Sequence, residues 1–422
     1  MKRLFRALLL LVAVSLMVHF LTRGPWLFPF ESAQLDSWLL LKQPRKPEHI
    51  ILVIIDESDY ADLFMAASPL DSSQVKRILD AILAGQPRVV GFDIDTAAQS
   101  FKGLTIPIPP PSVVWAEDAL SGNSEDGSLE PLGALGGKRS GILSGLALFP
   151  QDADGVVRRY LSCFETTRGR MPSFPIAVLE AARGRRVECS HRSRAAEVIL
   201  NFAGDRLAFH RLRASDVIEG AKGSAWTNQG PLRDKIVLVG GAYRAARDEY
   251  ITPLGPMTGV ELAAAALESE SLGGGIRPIN KGIFLAFELL VGVVVILLHV
   301  YFQTSRAVLF SLTAIVVGTF LSSWVAFATL AYWINGIPVL VAVLLHQLYE
   351  QCRPAVGGAP RGIGKHASFR VPDKVEPRGS QRMLGRKPPL IWMAFALIAV
   401  WVVLSRRRPD SEVTSPPSRI AP

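Results

Sequence analysis

Hydrophobic positions recur along this chain on three different rhythms. Ile50–Ile55 (IILVII) is an unbroken apolar, β-branched run that ends at Asp56 and Glu57. A run of that length with no polar alternation predicts a strand covered on both faces. Val75, Ile78, Leu79, Ile82 and Leu83 then return at helical spacing, which predicts an amphipathic helix. Asp71 is placed to cap its start, with Gln74 completing a capping box, and Gly85 to stop it. RVVGFDID, residues 88–95, reads as a second buried strand that ends at Asp93 and Asp95. Strand, helix and strand within about 45 residues make a βαβ unit and therefore a parallel pair.

The same two rhythms continue. Val113–Ala116, Gly141–Phe149, Val198–Phe202 and Ile236–Val239 predict strands, and SFPIAVLEAARG a short helix with a glycine stop. A Pro-rich turn (Pro107–Pro111) and a Gly/Ser/Asp loop around 121–140 separate them. An Ala-rich segment after Gly240 and Gly241 reads as helix. Residues 22–282 therefore form an α/β domain with a mostly parallel sheet and flanking helices, long enough to bury one large core. No internal repeat is present.

The third rhythm is the long apolar run. Leu4–Leu21 is broken only by Arg6, Ser15 and His19; Ile283–Phe302 is a second run, Ala307–Leu348 a third, and Leu390–Leu404 the shortest. A hydrocarbon core of about 30 Å takes roughly 20 helical residues. These runs predict transmembrane helices: one N-terminal at 1–21, two or three within 283–348, and a candidate at 390–404. Lys2, Arg3 and Arg6 precede the first run and no small-x-small cleavage site follows it, so it reads as an uncleaved anchor with its start in the cytoplasm. Residues 22–282 are then expected to be extracytoplasmic, in a multi-pass membrane protein.

Charge sharpens this picture. Of the net +9, residues 349–422 carry +8 and the first six residues +3, which leaves the stretch between them near −2. The basic residues flank the apolar runs, and the near-neutral body argues against a nucleic-acid partner. Residues 349–389 read as a basic disordered linker and 405–422 as a polar tail. Cys163 and Cys189 lie in the body and are able to pair, while no cysteine or histidine has metal-ligand spacing. No metal or other cofactor is expected.

Strand, two glycines and a helix (IVLVGGAYRA) invite a phosphate-binding reading. It fails on residue types: there is no G-x-x-x-x-G-K-[ST] and no third glycine where a dinucleotide fingerprint needs one. No nucleophile with a partnering base stands out either, since Ser144 in GILSG misses the G-x-S-x-G spacing. An enzyme is not expected. The candidate ligand residues are Asp56, Glu57, Asp93, Asp95 and Asp248. They fall at or just beyond the carboxyl ends of predicted parallel strands, the edge where open α/β sheets bind ligands, and carboxylates there suit a cation or the hydroxyl and amine groups of a small solute. The competing reading makes them caps and turns. Arg158 and Arg159, after the Asp154-Gly155 turn, read as solvated charges.

The ordered set of segments resembles the CHASE2 family of bacterial extracytoplasmic sensory domains. FESAQLDSWLLLKQP, with Asp36, is similar to the family's entry segment. ILVIIDES and RVVGFDI resemble its first two strands, and DADGVVRRY with GRMPSFPIAVLEAA its D-G-x-x-R segment and following helix. LRDKIVLVGGAYRAARDEYITPLGPMTGVELAAAAL, with Asp248, Thr252-Pro253 and Gly259-Val260-Glu261, resembles its closing block. Three departures stand out: AASPLDSS replaces a Trp-Pro-rich segment, the insert after the second strand is short, and Ala263 stands where a histidine is common. The resemblance implies three membrane spans after the domain, sensing of an extracytoplasmic solute, and signalling inside. The 74 residues after Leu348 leave no room for a kinase or cyclase, so the expected output is a separate protein, with a homodimer compatible. The rival expectation is a structural or assembly component of a cell-envelope complex.

Overall fold

The computed structural model describes residues 24–352 except 105–111, 122–127, 134, 136–141, 185–188, 190–196, 203–207 and 302–304, together with positions 13, 16–18 and 20. The Pro-rich turn, most of the 121–140 loop, the basic linker beyond 352, the 390–404 run and the polar tail lie outside the described residues.

In chain order the elements are α1 (Phe28–Leu40), β1 (Ile50–Ile55), α2 (Glu57–Phe64), α3 (Ser72–Ala84), β2 (Val89–Asp93), β3 (Ser112–Glu117), β4 (Ala119–Ser121), β5 (Leu129–Pro131) and β6 (Leu143–Leu146). Then come β7 (Arg159–Leu161), β8 (Cys163–Thr166), β9 (Gly169–Pro172), α4 (Phe174–Ala182), β10 (Glu197–Ile199), β11 (His210–Arg213), α5 (Ala214–Gly220), α6 (Ser224–Gln229) and β12 (Ile236–Gly241). The hairpin β13 (Glu249–Thr252) and β14 (Gly255–Thr258) leads into α7 (Gly259–Ser271), β15 (Arg277–Pro278), α8 (Lys281–Tyr301), α9 (Ser305–Leu330), β16 (Tyr332–Trp333) and α10 (Ile337–Cys352).

The main sheet has six strands in the order β11-β1-β12-β2-β3-β6, and every pairing is parallel. The apolar runs are continuous because both faces are covered. Ile50, Leu52, Ile54, Val89, Val114, Ile236 and Leu238 face α1, α4 and α7. Their neighbours Ile51, Val53, Ile55, Val90, Phe92, Trp115, Val237 and Val239 face α2, α3 and α5. Asp71 caps α3 as expected, accepting from the Ser73 N–H at 2.9 Å. Gln74 does not complete the capping box; its Oε1 accepts instead from Arg77. Val198–Phe202 shortens to β10 and lies outside the main sheet, antiparallel to β7.

The paired glycines after Val239 belong to packing. Both continue β12, and a methyl group on Gly240 would come within 2.5 Å of Val260 Cβ on α7. The helix lies this close to the sheet because no side chain intervenes. Gly240→Ala is expected to cost about 1–3 kcal/mol by overpacking, read as a lower midpoint in urea unfolding with an unchanged slope; an unchanged midpoint would refute this account of the glycine.

Of the expected transmembrane helices, the anchor at 1–21 lies almost wholly outside the described residues, as the 390–404 run does wholly; those within 283–348 are corrected by the structure, because among the described residues no helix is long and apolar enough to cross a membrane. Residues 283–348 divide into three helices and a two-residue strand. The 16 residues of α10 span about 24 Å. α9 has 26 residues, but Thr319 and Ser323 along it are buried. Its last turns and the residues that follow also belong to the α/β core, with Phe327 and Trp324 of α9, then Ala331 and Trp333, in or against the same cluster. Apolarity that reads as lipid-facing in the sequence is used here, at least in this stretch, to cover the body of the protein.

Candidate functional site

Because all six strands of the main sheet are parallel, their carboxyl ends share one edge. Register places Gly240 of β12 opposite Ile54 of β1 and opposite Asp93 of β2. The five residues singled out from sequence do not behave alike there.

Asp56 and Glu57 hold local structure. Asp56 caps α2, accepting from the Asp59 N–H at 2.8 Å and the Ser58 hydroxyl at 2.6 Å, and pairs with Arg213 Nε at 3.0 Å. Burial would raise its pKa, but these hydrogen bonds and the Arg213 charge outweigh it and hold the carboxyl below the usual range. Glu57 accepts from the Arg244 N–H at 2.9 Å and so ties the end of β1 to the loop after β12. Asp95 is exposed and closes a turn on the Ala97 N–H at 2.8 Å.

Asp93 and Asp248 form a different pair. Asp93 is half-buried at the end of β2 and, among the described residues, no hydrogen bond reaches its carboxylate. Burial, with the charges of Asp248 and Asp118, pushes its pKa well up. Asp248 is likewise raised, by burial first; hydrogen bonds from the Gly259 N–H and the Tyr250 hydroxyl oppose this, and Asp118 adds to it. The Gly259 N–H lies 3.2 Å from Asp248 Oδ2, and a methyl on Gly259 would run into both carboxylate oxygens. That glycine therefore lets the carboxylate sit over the start of α7, whose partial positive end faces it. Two phenols close the group. Burial, then the charges of Asp248 and Asp93, raise Tyr250. Tyr243, stacked on Tyr60 with ring centroids 4.1 Å apart, is pushed up to about 12 by burial, Tyr60 and Asp248.

Asp118 was missed in the sequence, although the rule that selected Asp93 applies to it. It follows the carboxyl end of β3, one residue after Glu117. Among the described residues, no group of three or more His, Cys, Asp or Glu could hold a metal ion.

Arg158 is the larger correction. It is 0% exposed, not solvated. Its Nε and Nη2 donate to Asp36 Oδ1 and Oδ2 at 2.6 and 2.9 Å, and its Nη1 and Nη2 donate to Asp152 Oδ2, Asp154 Oδ1 and Asp154 Oδ2, each at 2.9 Å. Burial alone would lower its pKa, but the hydrogen bonds it donates to Asp36 and Asp154 drive it up. Arg159 is partly exposed and donates to Asp152. Asp36 comes from α1 and the other acids from the turn before β7, so this guanidinium fastens the first helix to the body.

Cys163 and Cys189 are joined by a disulfide, with Cα atoms 6.1 Å apart. Ala263 is fully buried in α7 and packs in the core; a histidine's chemistry is absent from that position.

No curated protein and no solved structure matches this chain. A family model does. The entry-segment acid, the D-G-x-x-R arginine and the closing-block aspartate and glycine fall at the two polar centres just described, and the model that matches, over residues 8–301, is that of the CHASE2 domain. A match over that share of the chain establishes that the protein belongs to the CHASE2 family of extracytoplasmic sensory domains.

Proposed function

We propose that this protein is a membrane-associated sensor whose CHASE2 domain lies outside the cytoplasm. It binds a small solute at the carboxyl edge of its sheet, around Asp93, Asp118 and Asp248, and acts on a separate output protein. The observation that carries this reading is the Asp93 carboxylate, half-buried beside two other carboxylates and without a hydrogen-bond donor among the described residues. Such a group asks for a proton or for a donor brought by a ligand. Protonated amines and hydroxyl-rich solutes carry those donors on a carbon frame, and among the described residues no group of three or more His, Cys, Asp or Glu could hold a metal ion in their place. Binding rather than catalysis is the role this arrangement suits. The disulfide supports the compartment, since such bonds persist in oxidising surroundings.

The test is a thermal-shift panel on the full chain with polyamines, amino acids and sugars. A ligand at a hundred times its Kd adds about 2.7 kcal/mol, a shift of several degrees. The shift should disappear in Asp93→Asn and Asp248→Asn. A panel without any shift, or a shift that both variants retain, removes the reading.

A second reading, docking onto an envelope partner, draws on the apolar residues that α8 and α9 leave exposed, among them Ile283, Leu290, Val317 and Leu321. In-cell crosslinking that recovers a constant, stoichiometric partner would favour it.

A further inference from the structure

The helix α1 turns three faces to three different neighbours. Successive helical residues point about 100° apart, and residues four apart share a face. Leu35 and Leu39 enter the core. Gln34 and Trp38 reach the C-terminal helices. Gln34 Nε2 donates to Ser323 Oγ at 3.2 Å, and its Oε1 accepts from the Gly336 N–H at 3.0 Å. Trp38 Nε1 donates to Ser323 Oγ at 3.1 Å, and its ring lies 5.3 Å from that of Trp324. Asp36, on the third face, takes the Arg158 guanidinium. One turn earlier, the carboxyl of Glu31 is raised by burial, although a hydrogen bond from Asn335 and the charge of Arg159 oppose this.

Arg158 is itself linked to the carboxylate edge. β13 begins immediately after Asp248, and the Ile251 carbonyl accepts from the Val157 N–H at 2.8 Å. The peptide beside Arg158 is therefore bonded to the strand that Asp248 leads into.

We propose that α1 is the coupling element of this protein: a change at Asp248 moves β13, β13 carries the 152–158 turn, and Arg158 carries α1, which repacks Ser323 and the Asn335–Gly336 turn between α9 and α10. The proposal rests on the reading of the carboxyl edge as the ligand site. The Arg158–Asp36 contact suits the task because it is bidentate and charge-assisted, so neither partner slides without breaking two strong hydrogen bonds. Gln34 suits it because both ends of its amide are engaged, one by α9 and one by the turn leading into α10. An equilibrium between two arrangements moves only as far as the stimulus favours one of them, so the stimulus must be imposed at the edge and read at the far helices.

Neutralising the edge with Asp248→Asn supplies that stimulus without an identified ligand. Hydrogen–deuterium exchange is followed in the full chain over 249–258, 150–160 and 320–345. Arg158 is left in place because its loss threatens folding. The two joints are cut separately instead, by Asp36→Asn, which leaves Arg158 with Asp152 and Asp154, and by Gln34→Leu. Asp248→Asn should change exchange in 320–345 by at least threefold. In either cut background that change should vanish while the change in 249–258 persists. A change in 320–345 that survives either cut, or none in the Asp248→Asn protein, overturns the proposal. The site reading fails separately, in the thermal-shift panel, which does not depend on α1.

Discussion

Arg158→Met should destabilise the fold by about 3–5 kcal/mol, the usual result of removing one partner from a buried ion cluster. The side chain is fully buried and holds three carboxylates, Asp36, Asp152 and Asp154. Met fills much of the volume but leaves those acids facing one another, with Arg159 the one cation paired to them among the described residues, through Asp152. Urea unfolding at pH 7 measures the loss directly, and the thermal midpoint should fall by about 10 °C or more. Arg158→Lys should recover only part of it. An ammonium keeps the charge but cannot reproduce the planar fork that meets Asp36 with two parallel bonds. Asp36→Asn should be much milder, since Arg158 keeps two acids. If Arg158→Met unfolds within about 1 kcal/mol of the wild type, the cluster is not the fastening described above.

The contrast between Arg158 and the main sheet shows which kinds of information a sequence carries locally. A strand covered on both faces has an unbroken apolar run, so β1, β2 and β12 were legible, as were α3 and its cap at Asp71. The parallel sense of β1 and β2 followed from the βαβ spacing, but their pairing did not, since β12 is inserted between them. The carboxyl edge was legible to the same extent, because parallel strands must end together. The fate of each acid there was not. Asp56 and Glu57 look like Asp93 in sequence, but Asp56 caps α2 and meets Arg213, and Glu57 meets the Arg244 N–H, so the first two become anchors. Arg158 follows a turn and precedes another arginine, which by local rules is a solvated pair; its burial is set by Asp36, 122 residues away. The runs after Ile283 failed for a related reason. Hydropathy counts apolar residues without saying whether lipid or protein covers them, and the α9 residues around Phe327 are covered by the body.

Asp93→Asn should stabilise the protein at neutral pH, and only there. The carboxyl of Asp93 is raised by burial and by Asp248 and Asp118; Asp95, Tyr243 and Tyr250 are further ionisable groups of the same cluster. A carboxyl whose folded pKa exceeds its unfolded value binds its proton more tightly in the native state. Its presence therefore costs nothing below about pH 4, where both states are protonated. The cost grows as pH rises from there through the raised pKa, because the native state must then bear the charge or hold the proton. Asn has the same shape and no charge, so the variant should gain about 1–3 kcal/mol at pH 7, a rise in midpoint of about 3–8 °C. The difference should close by about pH 4. Comparing the two proteins at each pH cancels the groups of opposite sign, such as Asp56 and Asp154, which lower their pKa on folding. A gain that stays constant down to pH 4 would trace to packing instead of charge. The same substitution should abolish the solute-induced shift proposed above. A cationic ligand supplies Asp93 with the partner it lacks, and Asn removes the need for one. The two stabilisations should therefore fail to add: a ligand that lifts the wild type by several degrees should leave the Asp93→Asn protein where the substitution alone has put it.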